Sequence, residues 1–116
     1  MNKHSEVVWD HQQALAYVGG DEELLKDLMK LFLQRTDILL VAVEEAIAAA
    51  DAEAVSETAH ALKGAVNHFA AKRSQELAKT IEDNARMGEL EDVDALFDEV
   101  QKAVAQLKLE LQKQLC

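Results

Sequence analysis

No position in this 116-residue chain is proline, and only four are glycine. Proline breaks a helix because it lacks an N–H and its ring strikes the preceding turn, and mid-helix glycine weakens one. A chain almost free of both suits long, uninterrupted helices. The apolar residues are placed accordingly. Val55, Ala59, Leu62, Val66 and Phe69 are spaced 4, 3, 4 and 3 apart, and Val93, Phe97, Val100, Val104, Leu107 and Leu111 keep the same rhythm. Such spacing lines one side of a helix with a continuous seam. Aromatics make up 4% of a chain that is 49% hydrophobic. The core is therefore aliphatic, as in helix-on-helix packing. No alternating strand pattern and no internal repeat is present.

The punctuation of the chain predicts one short helix and four long ones. The first runs from about Asp10 to Val18 and stops at Gly19-Gly20. Asp21 reads as an N-cap, and Glu22 and Glu23 complement the positive end of the helix that follows. That second helix carries Leu25, Leu28, Phe32, Leu39, Val43 and Ile47 and continues to about Ala50, with a slight break before a cap at Asp51. A third spans about Ala52 to Phe69. A fourth spans about Lys72 to Met87, with Leu77, Ala78, Ile81 and Ala85 inside, and ends at Gly88. The last runs from about Leu90 to Leu115. Short connections make neighbours antiparallel. The expected fold is all-α: an antiparallel up-down-up-down four-helix bundle with a short N-terminal capping helix. It forms one domain over residues 1–116, with 1–9 a flexible tail. A dimeric coiled coil competes, but the turns at Gly19-Gly20 and Gly88 favour folding back, and a closed bundle is expected to be a monomer.

Charge narrows the function. Twelve basic residues against 22 acidic ones give a net charge of −10. A nucleic-acid binder needs Lys and Arg to displace phosphate counterions, and an anionic membrane surface attracts the same residues. No stretch approaches the roughly 18 apolar residues of a membrane span. The opening Met1-Asn2-Lys3-His4-Ser5-Glu6 has no apolar run of a signal peptide. The single cysteine, Cys116, has no partner for an internal disulfide and suits a reducing compartment. The expected location is the cytoplasm.

If Ala59, Leu62 and Val66 face the core, then His60, Lys63, Gly64 and Asn67 stand at i, i+3, i+4 and i+7 on the opposite stripe. An exposed imidazole titrates at about 6.5, so near pH 7 much of it is neutral and offers a nucleophilic nitrogen toward phosphorus. Lys63, one turn on, can lie beside the negative charge that a phosphoryl group brings. Asn67 can donate a hydrogen bond to the ring or the phosphoryl group. Gly64 costs the helix about 1 kcal/mol relative to alanine. Alanine occupies the neighbouring positions Ala61 and Ala65, so glycine here points to the close approach of a partner. Glu57 precedes His60 by three residues, but no second such pair suggests a metal site. His4, His11 and His68 read as surface residues. Nothing resembles a glycine-rich nucleotide loop, so the chain is expected to be phosphorylated by others and to need no cofactor of its own.

The run His60-Ala61-Leu62-Lys63-Gly64, followed by Phe69-Ala70-Ala71, resembles the signature of histidine-containing phosphotransfer domains. Gly19-Gly20-Asp21-Glu22-Glu23-Leu24-Leu25 resembles the opening of that family's second helix, and a fourth helix ending in Arg86-Met87-Gly88 also fits. Ala70 departs from the pattern, where glycine is usual, and so does His68, where a smaller polar residue is usual. The resemblance implies a four-helix bundle acting in a multistep two-component phosphorelay. His60 is then the phosphorylated residue, Lys63 the nearby cation and Gly64 the small residue giving access. The implied partners are response-regulator receiver domains and a hybrid histidine kinase. The receiver would bring Mg²⁺ and an acidic pocket to the transfer. Docking is expected around His60, with Arg86 at the edge and an apolar rim at Leu15, Val18 and Leu24. A helical adaptor that binds a partner without chemistry is the competing function.

Overall fold

The computed structural model describes residues 8–116. Five helices account for nearly all of them: α1 (His11–Tyr17), α2 (Glu22–Ala48), α3 (Ala52–Asn67), α4 (Lys72–Arg86) and α5 (Val93–Leu115). No strand occurs among the described residues. Helices α2 to α5 form the expected antiparallel up-down-up-down bundle. Each packs on its neighbours in chain order, α5 closes back on α2, and the α3–α4 pairing is the most extensive. Helix α1 covers the end of the bundle where α3 finishes.

The helices begin where aspartate can satisfy free backbone N–H groups. Asp10, Asp21 and Asp51 each accept a hydrogen bond from the N–H three residues on, at Gln13, Leu24 and Ala54, over 3.0, 3.0 and 3.1 Å. Such caps are worth about 1 kcal/mol each. The seams then meet in one core. Val55, Ala59, Leu62 and Val66 of α3 are buried, as are Val93, Phe97, Val100, Val104, Leu107 and Leu111 of α5. They pack with Leu25, Met29, Phe32 and Val43 of α2 and Ala78, Ile81 and Ala85 of α4.

Two expectations change. The flexible tail over residues 1–9 lies largely outside the described residues, but Trp9, assigned to it, is only 8% exposed. Its ring meets Phe69 edge-on at 6.3 Å, and the next residue, Asp10, donates its N–H to the Phe69 carbonyl over 3.1 Å. An indole at the open end of a bundle hides more apolar area than any other side chain there can. The break before Asp51 is also a full reversal, not a slight one. Helix α2 stops at Ala48, Ala50 takes the left-handed conformation (φ 50°), and the Asp51 N–H bonds back to the Ala46 carbonyl over 3.2 Å.

The same closure ends α4. Gly88 is left-handed there (φ 74°), and the Glu89 N–H reaches the Asn84 carbonyl over 2.9 Å. Glycine adopts this geometry freely, whereas alanine pays about 1–2 kcal/mol for it. Ala50 is exposed and packs on nothing that a substitution would remove. Ala50→Gly is therefore expected to stabilise the chain by about 0.5–1 kcal/mol after the added freedom of the unfolded state is subtracted. The measurement is thermal unfolding, and the midpoint should rise by about 2–4 °C.

Candidate functional site

The α3 seam leaves its opposite stripe to solvent. Ala59 and Leu62 are fully buried, and His60 between them turns outward with its side chain 63% exposed. Gly64 lies one turn further along the exposed face. A Cβ built on it would meet no atom within 4 Å, so no helix of the bundle needs the glycine for close packing.

His60 is not free on that surface. Its Nδ1 lies 2.8 Å from Oε2 of Glu82 on α4, and the Glu82 side chain is 1% exposed. Arg86, one turn on in α4, donates from its guanidinium to the same oxygen over 2.8 Å. Lys63 Nζ pairs with the other oxygen, Oε1, over 2.8 Å. One carboxylate thus gathers an imidazole, an ammonium and a guanidinium. Glu82 carries the only charge among the buried side chains of the described residues. Burial by itself would raise the Glu82 carboxyl. The contacts from Lys63 and His60, with the charges of Lys63 and Arg86, outweigh it and hold the group below the usual glutamate range.

In the neutral ring, an Nδ1–H that donates to this carboxylate leaves the lone pair on Nε2. The ring is therefore exposed yet held in one orientation.

Beside Gly64 lies an open cleft of about 370 Å³ between α2 and α3. Leu28, Leu31, Arg35 and Leu39 form one wall, and Ala61, Ala65 and His68 the other. The expected docking residues fall as follows. Leu24 is 44% exposed near the start of α2, while Leu15 and Val18 are half-buried against the core. Arg86 is 62% exposed but engaged with Glu82. Asn67 is exposed at the end of α3 and makes no hydrogen bond to His60 among the described residues. The sequence reading did not select Glu82, Leu28, Leu31 or Arg35. Glu82 had a signal. It stands four residues after Ala78 and three before Ala85, on the apolar face of α4, where a carboxylate must have a partner.

A glutamate with a depressed pKa stabilises the fold above its unfolded value, and this contribution is lost as pH falls through the folded value. Glu82→Gln is expected to cost about 1–3 kcal/mol at pH 7. The difference from the parent should shrink as pH falls below about 4, where the unfolded glutamate takes up its proton. Urea unfolding at pH 7 and at pH 3.5 measures both.

Comparison with known proteins identifies the family of the chain. The family model of the Hpt domain matches residues 27–110. No curated protein sequence matches the chain. Among solved structures, the histidine-containing phosphotransfer protein B (HptB) from Pseudomonas aeruginosa PAO1 is similar, with 24% identity over 95% of this chain and 96% of that one and a TM-score of 0.87. The HPT domain from the Hpt sensor hybrid histidine kinase from Shewanella has 18% identity over 93% of each chain and a TM-score of 0.81. The family model spans most of the sequence, and the chain belongs to the histidine-containing phosphotransfer (Hpt) domain family.

Proposed function

We propose that this Hpt domain, whose role is histidine phosphotransfer in a phosphorelay, carries the phosphoryl group on Nε2 of His60. It takes the group from the aspartate of one receiver domain and gives it to the aspartate of another. The observation that carries this reading is the 2.8 Å contact between His60 Nδ1 and buried Glu82. It presents an exposed imidazole as a nucleophile of fixed orientation.

In the transfer, the Nε2 lone pair attacks the phosphorus of the aspartyl phosphate. The bond from phosphorus to the aspartyl oxygen breaks, and the carboxylate leaves with the electron pair. The Nδ1 proton stays on the ring, which becomes positive, and Glu82 faces that charge. Lys63 lies one turn along α3, within reach of the arriving phosphoryl oxygens. The Mg²⁺ that such transfer uses belongs to the receiver. The reverse order of events returns the group to an aspartate. No step calls for ATP at this domain, and the reading is of a monomeric, cytoplasmic phosphocarrier. No helix among the described residues is long and apolar enough to cross a membrane.

The cleft between α2 and α3 supplies a docking surface. Its leucines suit an apolar helix face, and Gly64 leaves the path to His60 open. This gives a test that separates docking from folding. Phosphorylated receiver mixed with the domain should leave acid-labile phosphate on it, and His60→Gln should abolish the label. Gly64→Gln should slow uptake by tenfold or more while raising helix stability by roughly 0.5–1 kcal/mol, because a mid-helix glycine is removed into open space. Label that persists in His60→Gln would refute the assignment. A receiver that binds without labelling would leave the adaptor role.

A further inference from the structure

Arg86 is 62% exposed, yet its guanidinium sits 2.8 Å from a carboxylate oxygen that is out of solvent. That oxygen is the one that holds His60 Nδ1. We propose that Arg86 is a positioning residue that acts through Glu82 to keep the Nε2 lone pair of His60 free of a proton and open to a phosphoryl group. The inference rests on His60 being the phosphoacceptor.

The reason lies in what a carboxylate does to an imidazole. Glu82 alone beside His60 would favour the imidazolium, because an opposite charge at contact distance stabilises the charged form. A proton would then occupy Nε2, and the nucleophile would be lost. The charged groups around the pair change this. From α3 come Lys63 and, one turn before His60, Glu57. From α4 come Glu82, Arg86 and the Lys79–Asp83 ion pair. Arg35 of α2 lines the cleft beyond Gly64. Lys63 and Arg86 both touch the Glu82 carboxylate. A protonated His60 would be a third positive group in contact with the Glu82 carboxylate. A phosphoryl group on the same nitrogen brings about two negative charges instead. Arg86 and Lys63 offset part of the pull of Glu82 on a ring proton, and the same two cations favour a phosphoryl group.

Arg86 and Lys63 divide this work. Lys63 shares the exposed stripe of His60 and pairs with Oε1 over 2.8 Å, and its flexible ammonium can turn to the phosphoryl oxygens. Arg86 competes with His60 for Oε2 and weakens the pull of that oxygen on the ring proton. When Lys63 leaves, Arg86 remains as the cation on Glu82. A guanidinium never loses its charge in this pH range.

The experiment uses the full chain as Arg86→Met, Arg86→Lys and Glu82→Gln/Arg86→Met, with Glu82→Gln as background. The His60 ring is followed by ¹⁵N NMR from pH 5 to 9 without any partner. Phosphoryl uptake from a saturating phosphorylated receiver is measured over the same range. In Arg86→Met the ring should hold its second proton to higher pH than in the parent. Uptake below pH 7 should fall roughly threefold and recover as pH rises, in step with that shift. Arg86→Lys should restore both. In the Glu82→Gln background, Arg86→Met should leave the ring titration in place, because the coupling runs through Glu82. An unmoved ring titration in Arg86→Met would overturn the proposal, as would a loss of uptake equal at every pH. A loss seen only as weaker receiver binding would likewise overturn it and make Arg86 a docking residue. If the parent takes up no phosphoryl group, the assignment of His60 fails, while the ring titration still decides whether Arg86 acts through Glu82.

Discussion

A carboxylate buried at the seam between α3 and α4 is the constraint around which this site is built. Taking such a charge out of water costs several kcal/mol unless partners offset it. Glu82 has three, and they come from both helices: His60 and Lys63, one turn apart on α3, and Arg86, one turn on along α4. Shifting the α4 sequence by one position along the helix would turn Glu82 by about 100° and carry the carboxylate away from its α3 partners. The apolar seams allow the two helices to pack. The ion cluster specifies where along each other they pack, and it does so at His60, the proposed phosphoacceptor.

That placement answers two demands that pull against each other. A phosphoacceptor must be open to a second protein, which favours a side chain free to move. Transfer also requires the reacting nitrogen to be held in line with phosphorus, which favours a side chain that is fixed. The helix backbone fixes the Cα of His60, Glu82 fixes the ring from beneath, and Gly64 clears the space above the next turn. Only one edge of the imidazole is tied down, so its exposure is kept while its orientation is not lost.

Much of this was legible in the sequence. The 4-3-4-3 spacing in α3 and α5 exposes the seams directly, and aspartates at 10, 21 and 51 announce helix starts by a local hydrogen bond. The His60 stripe follows from the α3 seam by subtraction. The rest depended on contacts between distant residues. Trp9 reads as part of a tail because nothing near it in sequence says that Phe69 will lie under it. Ala50 and Ala70 enter the left-handed region where a reader of turns looks for glycine. Seam analysis counts apolar letters, so Glu82 draws no notice although it completes the buried face of α4. Its 22-residue separation from His60 leaves no local trace. Likewise, which leucines of α2 line the cleft is decided by where α3 lies across them.

A phosphocarrier must also let go of what it takes, and the charges here are balanced for that. An ammonium about 4 Å from a phosphoryl oxygen contributes about 1 kcal/mol in water for each unit of charge. Water reaches His60, so the contribution of Lys63 stays near this low end until a partner covers the site. A deep pocket lined with several cations would hold the phosphoryl group harder and turn a relay into a trap. In this chain the cations beside His60 are already committed to Glu82, and any that turns toward the phosphoryl group leaves a buried carboxylate with less company. The gain on one side is offset by a loss on the other. Transfer in either direction then depends mainly on the receiver that docks, which is what a carrier standing between two aspartates requires.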